Sequence, residues 1–337
     1  MSTESEENEE KTWNEKVIAY RKAGKIAYEA LQKIKPMIKP HTKIIDVCET
    51  VENYITDQGA KLAFPCNVSI NNIAAHYTAT RNDPTIIPEK SVVKVDCGAH
   101  IDGFIADTAF TITLDPQWAK LVEASEKAFE AGIEIIEDGL HPYVVGTAVE
   151  EVIKNQFGFR PLRELSGHQI DEYVLHGEKM LPNISVPLKK RDLQIKAEEA
   201  YAFETFATTG TGSVHDDLNK FQIYSLQPFN ARVRSPSARE IRKFIAKEQR
   251  GLPFSERWLT KKFPPAKVSL GLRALVQAGV FRQYYTLADV KDSFISQYEH
   301  TFLVHKDHVE ITTRPPFKDL EELITSESTN TKKGTPD

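Results

Sequence analysis

Cysteine is scarce: Cys48, Cys66 and Cys97 are the three in a chain of 337 residues. Odd in number and without Cys-x-x-Cys spacing, they exclude a disulfide framework and a thiolate zinc site, and they fit a reducing, cytoplasmic setting. An excess of positive charge is missing too. The formal net charge is -5, so nothing global draws the chain to a phosphate backbone. No apolar run reaches the length of a membrane span, and the opening MSTESEENEEKTWNE is acidic where a signal peptide would be basic and then apolar. These absences point to a soluble intracellular protein with neither a membrane nor a specific nucleic acid as partner.

What is present is a hydrophobic content of 40%, enough for one large domain or two ordinary ones, each with its own core. An acidic tail (1–12) and a polar tail (317–337) are expected to be frayed. Val17, Tyr20, Gly24, Ala27, Leu31 and Ile34 recur at helical spacing up to Pro36, and a second helix is expected from near Lys43 to Gly59. From Ala63 to Leu114 the pattern turns to short β-type runs. Asp115 and Pro116 open a third helix running towards Gly139, and GTAVEEVIKNQFG reads as a fourth. This order predicts an α+β fold in which helices cover one face of a mainly antiparallel sheet. Residues 13–225 and 291–316 would form that domain. Residues 226–290 would be an insertion of three short helices and a small extended piece, resembling a winged-helix module. Its Arg and Lys residues suit a solvated helical surface, with a nucleic-acid face as the alternative.

One stretch resists a purely structural explanation. VDCGAHIDGFIADTAF, residues 95–110, sets three aspartates among strand-forming residues. Asp102-Gly103 suits a two-residue type I′ hairpin turn. Opposed residues then pair Ile101 with Phe104, Gly98 with Asp107 and Asp96 with Ala109. Asp96 and Asp107 become diagonal neighbours on one face, about 7 to 8 Å apart at the backbone. Like charges that close repel unless a cation or a proton lies between them, so the pair points to metal or acid/base chemistry; a wet face with solvated aspartates is the bland alternative. Asp102 belongs to the turn.

Other segments offer partners. LSGHQIDEYVLHG carries His168 and His176, whose even separation puts both on one face if the segment is extended. Glu204 sits between Phe203 and Phe206, and Glu299 in SQYEHTFLV shares its strand face with Gln297 and Thr301. A glutamate in such company is paired or metal-bound. Four carboxylates and one imidazole suit two divalent ions such as Mn, Fe(II), Co or Zn, with two carboxylates bridging and a water activated for attack on a carbonyl. With one of these histidines as a ligand, the reference imidazole pKa near 6.5 predicts an acid limb of activity below about pH 6.

NNIAAHYT, VDCGAHIDGFIADTAFT, SGHQIDEYVLH, AFETFATTGTGSVHDD and QYEHT, in this order, resemble the type 2 methionine aminopeptidases, a branch of the pita-bread metallopeptidases, over nearly all of residues 13–315. The resemblance implies a pita-bread fold and removal of the N-terminal methionine from nascent proteins and peptides with a small second residue. It implies that Asp96 ligates one metal, that His168 and Glu204 ligate the other, and that Asp107 and Glu299 bridge the two. Glu204 would also be the general base, His76 and His176 would contact the substrate and stabilise the tetrahedral intermediate, and Phe64, Leu175 and Tyr284 would line the methionine pocket. The implied protein is a cytoplasmic monomer in transient contact with the ribosome. Where eukaryotic members carry a histidine after HDD, Gln222 is the nearest counterpart here. The alternatives are a proline-specific pita-bread peptidase and a relative that binds without catalysing.

Overall fold

The computed structural model describes residues 11–188, 193–228 and 231–317; the rest of both expected tails lies outside the described residues. Helix α1 (Trp13–Ile34) begins at Thr12, whose hydroxyl accepts from the Glu15 amide while the Glu15 carboxylate accepts from the Thr12 amide. This reciprocal cap takes Thr12 out of the expected tail. Helix α2 (Ile44–Asp57) ends before Gly59, which adopts the left-handed φ of 80° that the sequence anticipates.

Strands β1 (Lys61–Ile70), β2 (Ile73–Ala75), β3 (Val92–Ile101) and β4 (Phe104–Thr113) follow. Asp115 caps a short 3-10 turn, and α3 (Ala119–Glu134) stops short of Gly139. The chain leaves the helix there because the Gly139 amide and Leu140 carbonyl exchange hydrogen bonds with Ile195. Helix α4 (Val144–Glu150) widens into a π-helical stretch over Glu151–Gln156. The remaining elements are β5 (Arg160–Pro161), β6 (Ser166–Ile170), β7 (Met180–Pro182), β8 (Glu199–Thr208), β9 (His215–Leu226), α5 (Pro236–Glu248), β10 (Phe254–Ser255), α6 (Glu256–Thr260), α7 (Pro265–Gln277), β11 (Phe281–Ala288), β12 (Ile295–Val304) and β13 (Val309–Ile311).

The larger sheet runs β1-β3-β4-β12-β8-β6-β7, with β13 and β5 paired at its margins, and every pair among the described residues is antiparallel. Its back face is apolar. Val93, Val95 and Cys97 of β3 pack with α1 and α2, while Tyr201 and Phe203 of β8 and Phe302 of β12 pack with α3 and α4. Alternation along each strand therefore sends the residues between these, including all five expected ligands, to the front.

A second sheet, β10-β9-β11-β2, stands on the front side. The segment expected as an insertion does hold α5, α6 and α7 around their own apolar core. Its strand β11, however, pairs along the full length of β9, which begins at His215, and also with β2. The sheet thus crosses the boundary expected at 226, because paired backbone rather than composition decides where a unit ends.

One buried ion pair ties this part to the larger sheet. The Arg257 guanidinium, at the start of α6, donates to both oxygens of Glu52 on α2 at 2.6 and 2.8 Å, and to the Ala79 carbonyl. Trp258 Nε1 and the Cys66 amide complete the shell around Glu52. Both charged side chains are 2% exposed, so removing one strands the other in a medium that cannot solvate it. Arg257→Ala should cost about 3–5 kcal/mol, read as a lower urea midpoint. The double change Arg257→Met with Glu52→Leu should recover most of it, since neither charge is then buried alone.

Candidate metal centre

The turn at Asp102 and Gly103 has φ values of 51° and 96°, as a type I′ hairpin requires. It sets the register computed from sequence: Ile101 opposite Phe104, Gly98 opposite Asp107, Asp96 opposite Ala109. His100 Nδ1 accepts from the Gly103 amide and so serves the turn. On the next strand Glu299 lies opposite Ala109, on β8 Glu204 lies opposite Glu299, and on β6 His168 lies opposite Ala202. Five neighbouring strands, β3, β4, β12, β8 and β6, each contribute one residue to the same front face. Small residues stand opposite four of them, Ala109 facing both Asp96 and Glu299, Gly98 facing Asp107 and Ala202 facing His168, and keep the face open. A Cβ on Gly98 would come within 2.3 Å of the Phe64 ring, which lies across this position.

The seam between β4 and β12 is unusual. Threonine hydroxyls replace much of its backbone ladder. Thr301 Oγ1 accepts from the Asp107 amide at 2.7 Å and donates to the Asp107 carbonyl at 2.9 Å. Thr111 Oγ1 likewise bridges the Gln297 carbonyl and amide, and Thr108 donates to the Glu299 carbonyl. The seam lies in the middle of the ligand row, so the hydroxyls fix the spacing of Asp107 and Glu299.

Asp107, His168 and Glu299 bring ligand atoms within 4.8 Å of one another. All three are buried, while Asp96 and Glu204 are half-buried and face the same cavity. Gln297 Nε2 donates to Glu299 at 3.0 Å and reaches Glu204 at 3.5 Å. No lysine or arginine lies among them. Burial first, then the neighbouring carboxylates, pushes Asp107, Glu204 and Glu299 well above the usual carboxylate range, and burial lifts Asp96 to about 7. Oδ1 of Asp96 and of Asp107 are buried without a hydrogen-bond partner. Unpartnered carboxylate oxygens converging on one imidazole are the donor set that hard-to-borderline divalent ions take. The residues therefore fit a metal, and a merely solvated face does not describe them.

All the expected site residues line one cavity of about 380 Å³ between the two sheets. His76, at φ 64° just after β2, bonds the Tyr285 carbonyl through Nδ1 and meets Tyr284 edge-on. His168 and His176 approach to 4.5 Å between ring centroids, but not along an extended strand. Eight extended residues would separate them by roughly 26 Å. The chain instead folds back beyond Ile170, with the Gly177 amide returning to the Gln169 carbonyl. Burial, reinforced by His176, also holds His168 well below 6.5, so competition from protons moves below the acid limb expected from the reference value. Gln222 does not line the cavity; Ile223 does. Tyr284 pairs with Ile223 and Tyr285 with Phe221, which leaves Gln222 as the extra residue of a bulge.

Sequence reasoning missed Asn67, Glu164, Ile223 and Arg282, which also line the cavity. Asn67 is paired with Asp96 across β1 and β3, but two irregularities in that register hide the pairing from any count along the chain.

Residues 19–232 match metallopeptidase family M24, and the chain belongs to that family. The chain is similar to the methionine aminopeptidase of Saccharolobus solfataricus, 42% identical over 295 residues that cover 87% of this chain and 96% of that protein. Among solved structures it superposes on a thermophilic Arx1 with a TM-score of 0.79 at 19% identity, covering 92% of this chain and 93% of that one. It also superposes on a methionine aminopeptidase from Thermotoga maritima with a TM-score of 0.65 at 20% identity, covering 90% and 98%. The α+β architecture is thus the pita-bread fold. Among the described residues, no helix is long and apolar enough to cross a membrane.

A carboxyl raised by folding keeps its proton where the unfolded chain has lost it, so the folded state binds more protons and stability falls as pH rises towards the folded value. His76, His168 and His176 are depressed and act with the opposite sign, but only below about 6.5, where unfolded imidazoles charge. In metal-free protein these carboxyls should therefore lower thermal stability as pH rises above about 6.5, against an opposing gain from Lys94, which burial lowers to about 7. Asp107→Asn, lacking one of the raised carboxyls, should lose less, and Mn²⁺ should remove the decline in the parent protein only. Differential scanning calorimetry at several pH values checks this, with Lys94 and every other titrating group common to both proteins.

Proposed function

We propose that this chain removes the N-terminal methionine from peptides and nascent proteins, with two divalent ions held by Asp96, Asp107, His168, Glu204 and Glu299. The observation that carries this is the row of five ligand-type side chains, one from each of five neighbouring strands, in a chain 42% identical to a methionine aminopeptidase. Asp107 and Glu299, at the centre of the row, would be shared by both ions, with Asp96 at one end and His168 and Glu204 at the other. When bound, the ions supply Lewis acidity towards the scissile carbonyl and a nucleophile at neutral pH.

The chain's own side chains do the rest. Glu204 is half-buried, opens on the cavity and can take up the proton released as the nucleophile attacks. A carbonyl only accepts, so the bond from His76 to Tyr285 puts the His76 proton on Nδ1. Burial keeps the ring neutral at pH 7, and its Nε2 is then an acceptor for a substrate N–H. His176, whose ring opens on the cavity and is also held neutral, is the donor for the carbonyl oxygen as it gains charge. Phe64, Leu175, Tyr284 and Ile223 offer an apolar wall that suits a thioether side chain. The neighbouring metal centre would fix the α-amine, and the substrate would thereby be read from its N-terminus.

Protein loaded with Mn²⁺, Co²⁺ or Fe(II) under reducing conditions should release methionine from Met-Ala-Ser and do so faster than it cleaves Ala-Pro. Asp107→Asn should lower turnover at least about 100-fold, as expected when a shared ligand loses its charge. Faster cleavage of Ala-Pro would favour a proline-specific peptidase, and no release with any of the three ions would favour a binding role.

A further inference from the structure

An enzyme that admits only the first residue of a polypeptide must let the rest of the chain leave through the mouth of its cavity. The charged side chains at that mouth therefore face the residues downstream of the cleaved bond. Two exposed charges line it: Glu164, just before β6, and Arg282, on β11. They are not equivalent. Both Glu164 oxygens are filled by the loop that precedes β9, Oε1 by the Ser213 hydroxyl at 2.5 Å and Oε2 by the Val214 amide at 3.0 Å. Glu164 thus anchors that loop. Arg282 is the one lysine or arginine among the residues that line the cavity. Its guanidinium lies over the Tyr284 ring at 5.1 Å from the centroid, a contact that uses a face of the group and leaves its N–H donors free. It is also near enough to His76 and His176 to disfavour their charged forms. A fixed cation thus stands between the proposed methionine pocket and solvent, with no acidic partner among the described residues.

We propose that Arg282 forms a subsite for a carboxylate downstream of the scissile bond, so that the enzyme prefers N-termini with an aspartate or glutamate at the third or fourth residue. The subsite rests on the methionine-releasing activity proposed above. The second residue is confined to the interior beside the metal ligands, whereas the third and fourth pass the rim. Attraction there acts on binding rather than on the reacting atoms, so the preference appears in KM. Arg282 is a specificity determinant and not a catalytic residue. At an exposed rim the pair is worth up to about a fivefold effect and weakens as salt rises.

Methionine release is to be compared for amidated peptides Met-Ala-Glu-Gly, Met-Ala-Lys-Gly, Met-Ala-Gly-Glu and Met-Ala-Gly-Lys, with the metal-loaded full chain. In the parent protein the glutamate member of at least one pair should have kcat/KM about three- to fivefold above its lysine counterpart, through KM, with the gap closing in about 0.5 M salt. Arg282→Ala should bring the ratio near one, and Arg282→Glu should invert it. Because each ratio is taken within one protein, a general loss of activity in a variant does not imitate the effect. Release from all four peptides with equal ratios in the parent and in Arg282→Glu would overturn the subsite and leave the methionine-releasing function standing. Release from none of them would overturn both.

Discussion

Four carboxylates on one face of one sheet repel each other, and the rest of this structure is arranged around that repulsion. A β-sheet can bring one side chain per strand to a common point, because alternation and register together decide which residues share a face. Here the point is chosen by a type I′ turn at Asp102 and Gly103 and extended across β12, β8 and β6 by direct or diagonal pairing. The apolar back of the sheet, covered by α1 to α4, holds the strands in place against the electrostatic cost of the front. A cation would turn the same arrangement from a cost into a binding energy, since each charged oxygen then finds the partner the protein withholds.

The side chains around the ligands maintain this tension rather than relieve it. Thr301 and Thr111 hold β4 and β12 through their hydroxyls, while the Gln297 side-chain amide donates to Glu299 and reaches Glu204. Lys94 lies on the same strand face as Asp96, yet its ammonium is spent on the backbone carbonyls of Asn71 and Ile295, each at 3.0 Å. A lysine turned towards the aspartates would neutralise them and compete with the metal. Its capture by two carbonyls keeps the acidic row free for divalent ions while stitching the β1–β2 turn to the start of β12.

Much of the site was legible in the sequence because turn chemistry is local. Asp-Gly predicts its own φ angles, and from those the whole β3–β4 register follows, including the diagonal pair Asp96 and Asp107. Glu204 and Glu299 were visible as acids in apolar company, and Gln297 as a neighbour on the same face. Legibility failed where a local rule was absent. His168 and His176 meet because the chain folds back beyond Ile170, which no period reveals, and Ile223 replaces Gln222 in the cavity because a bulge in β9 shifts the face by one residue. Arg282 carried no signal at all as an exposed arginine in a short strand. Its place at the cavity exists only once β11 has paired with β9 and β2.

Central to all of this is the proposal that the five front-face residues would hold two divalent ions in common. Native mass spectrometry of the Mn²⁺-loaded chain, beside the same chain with Asp107→Asn, counts the ions directly. Two bound ions in the parent protein and at most one in the variant are predicted. An unchanged metal count in the variant, or no bound metal in the parent protein, would contradict the shared-ligand account.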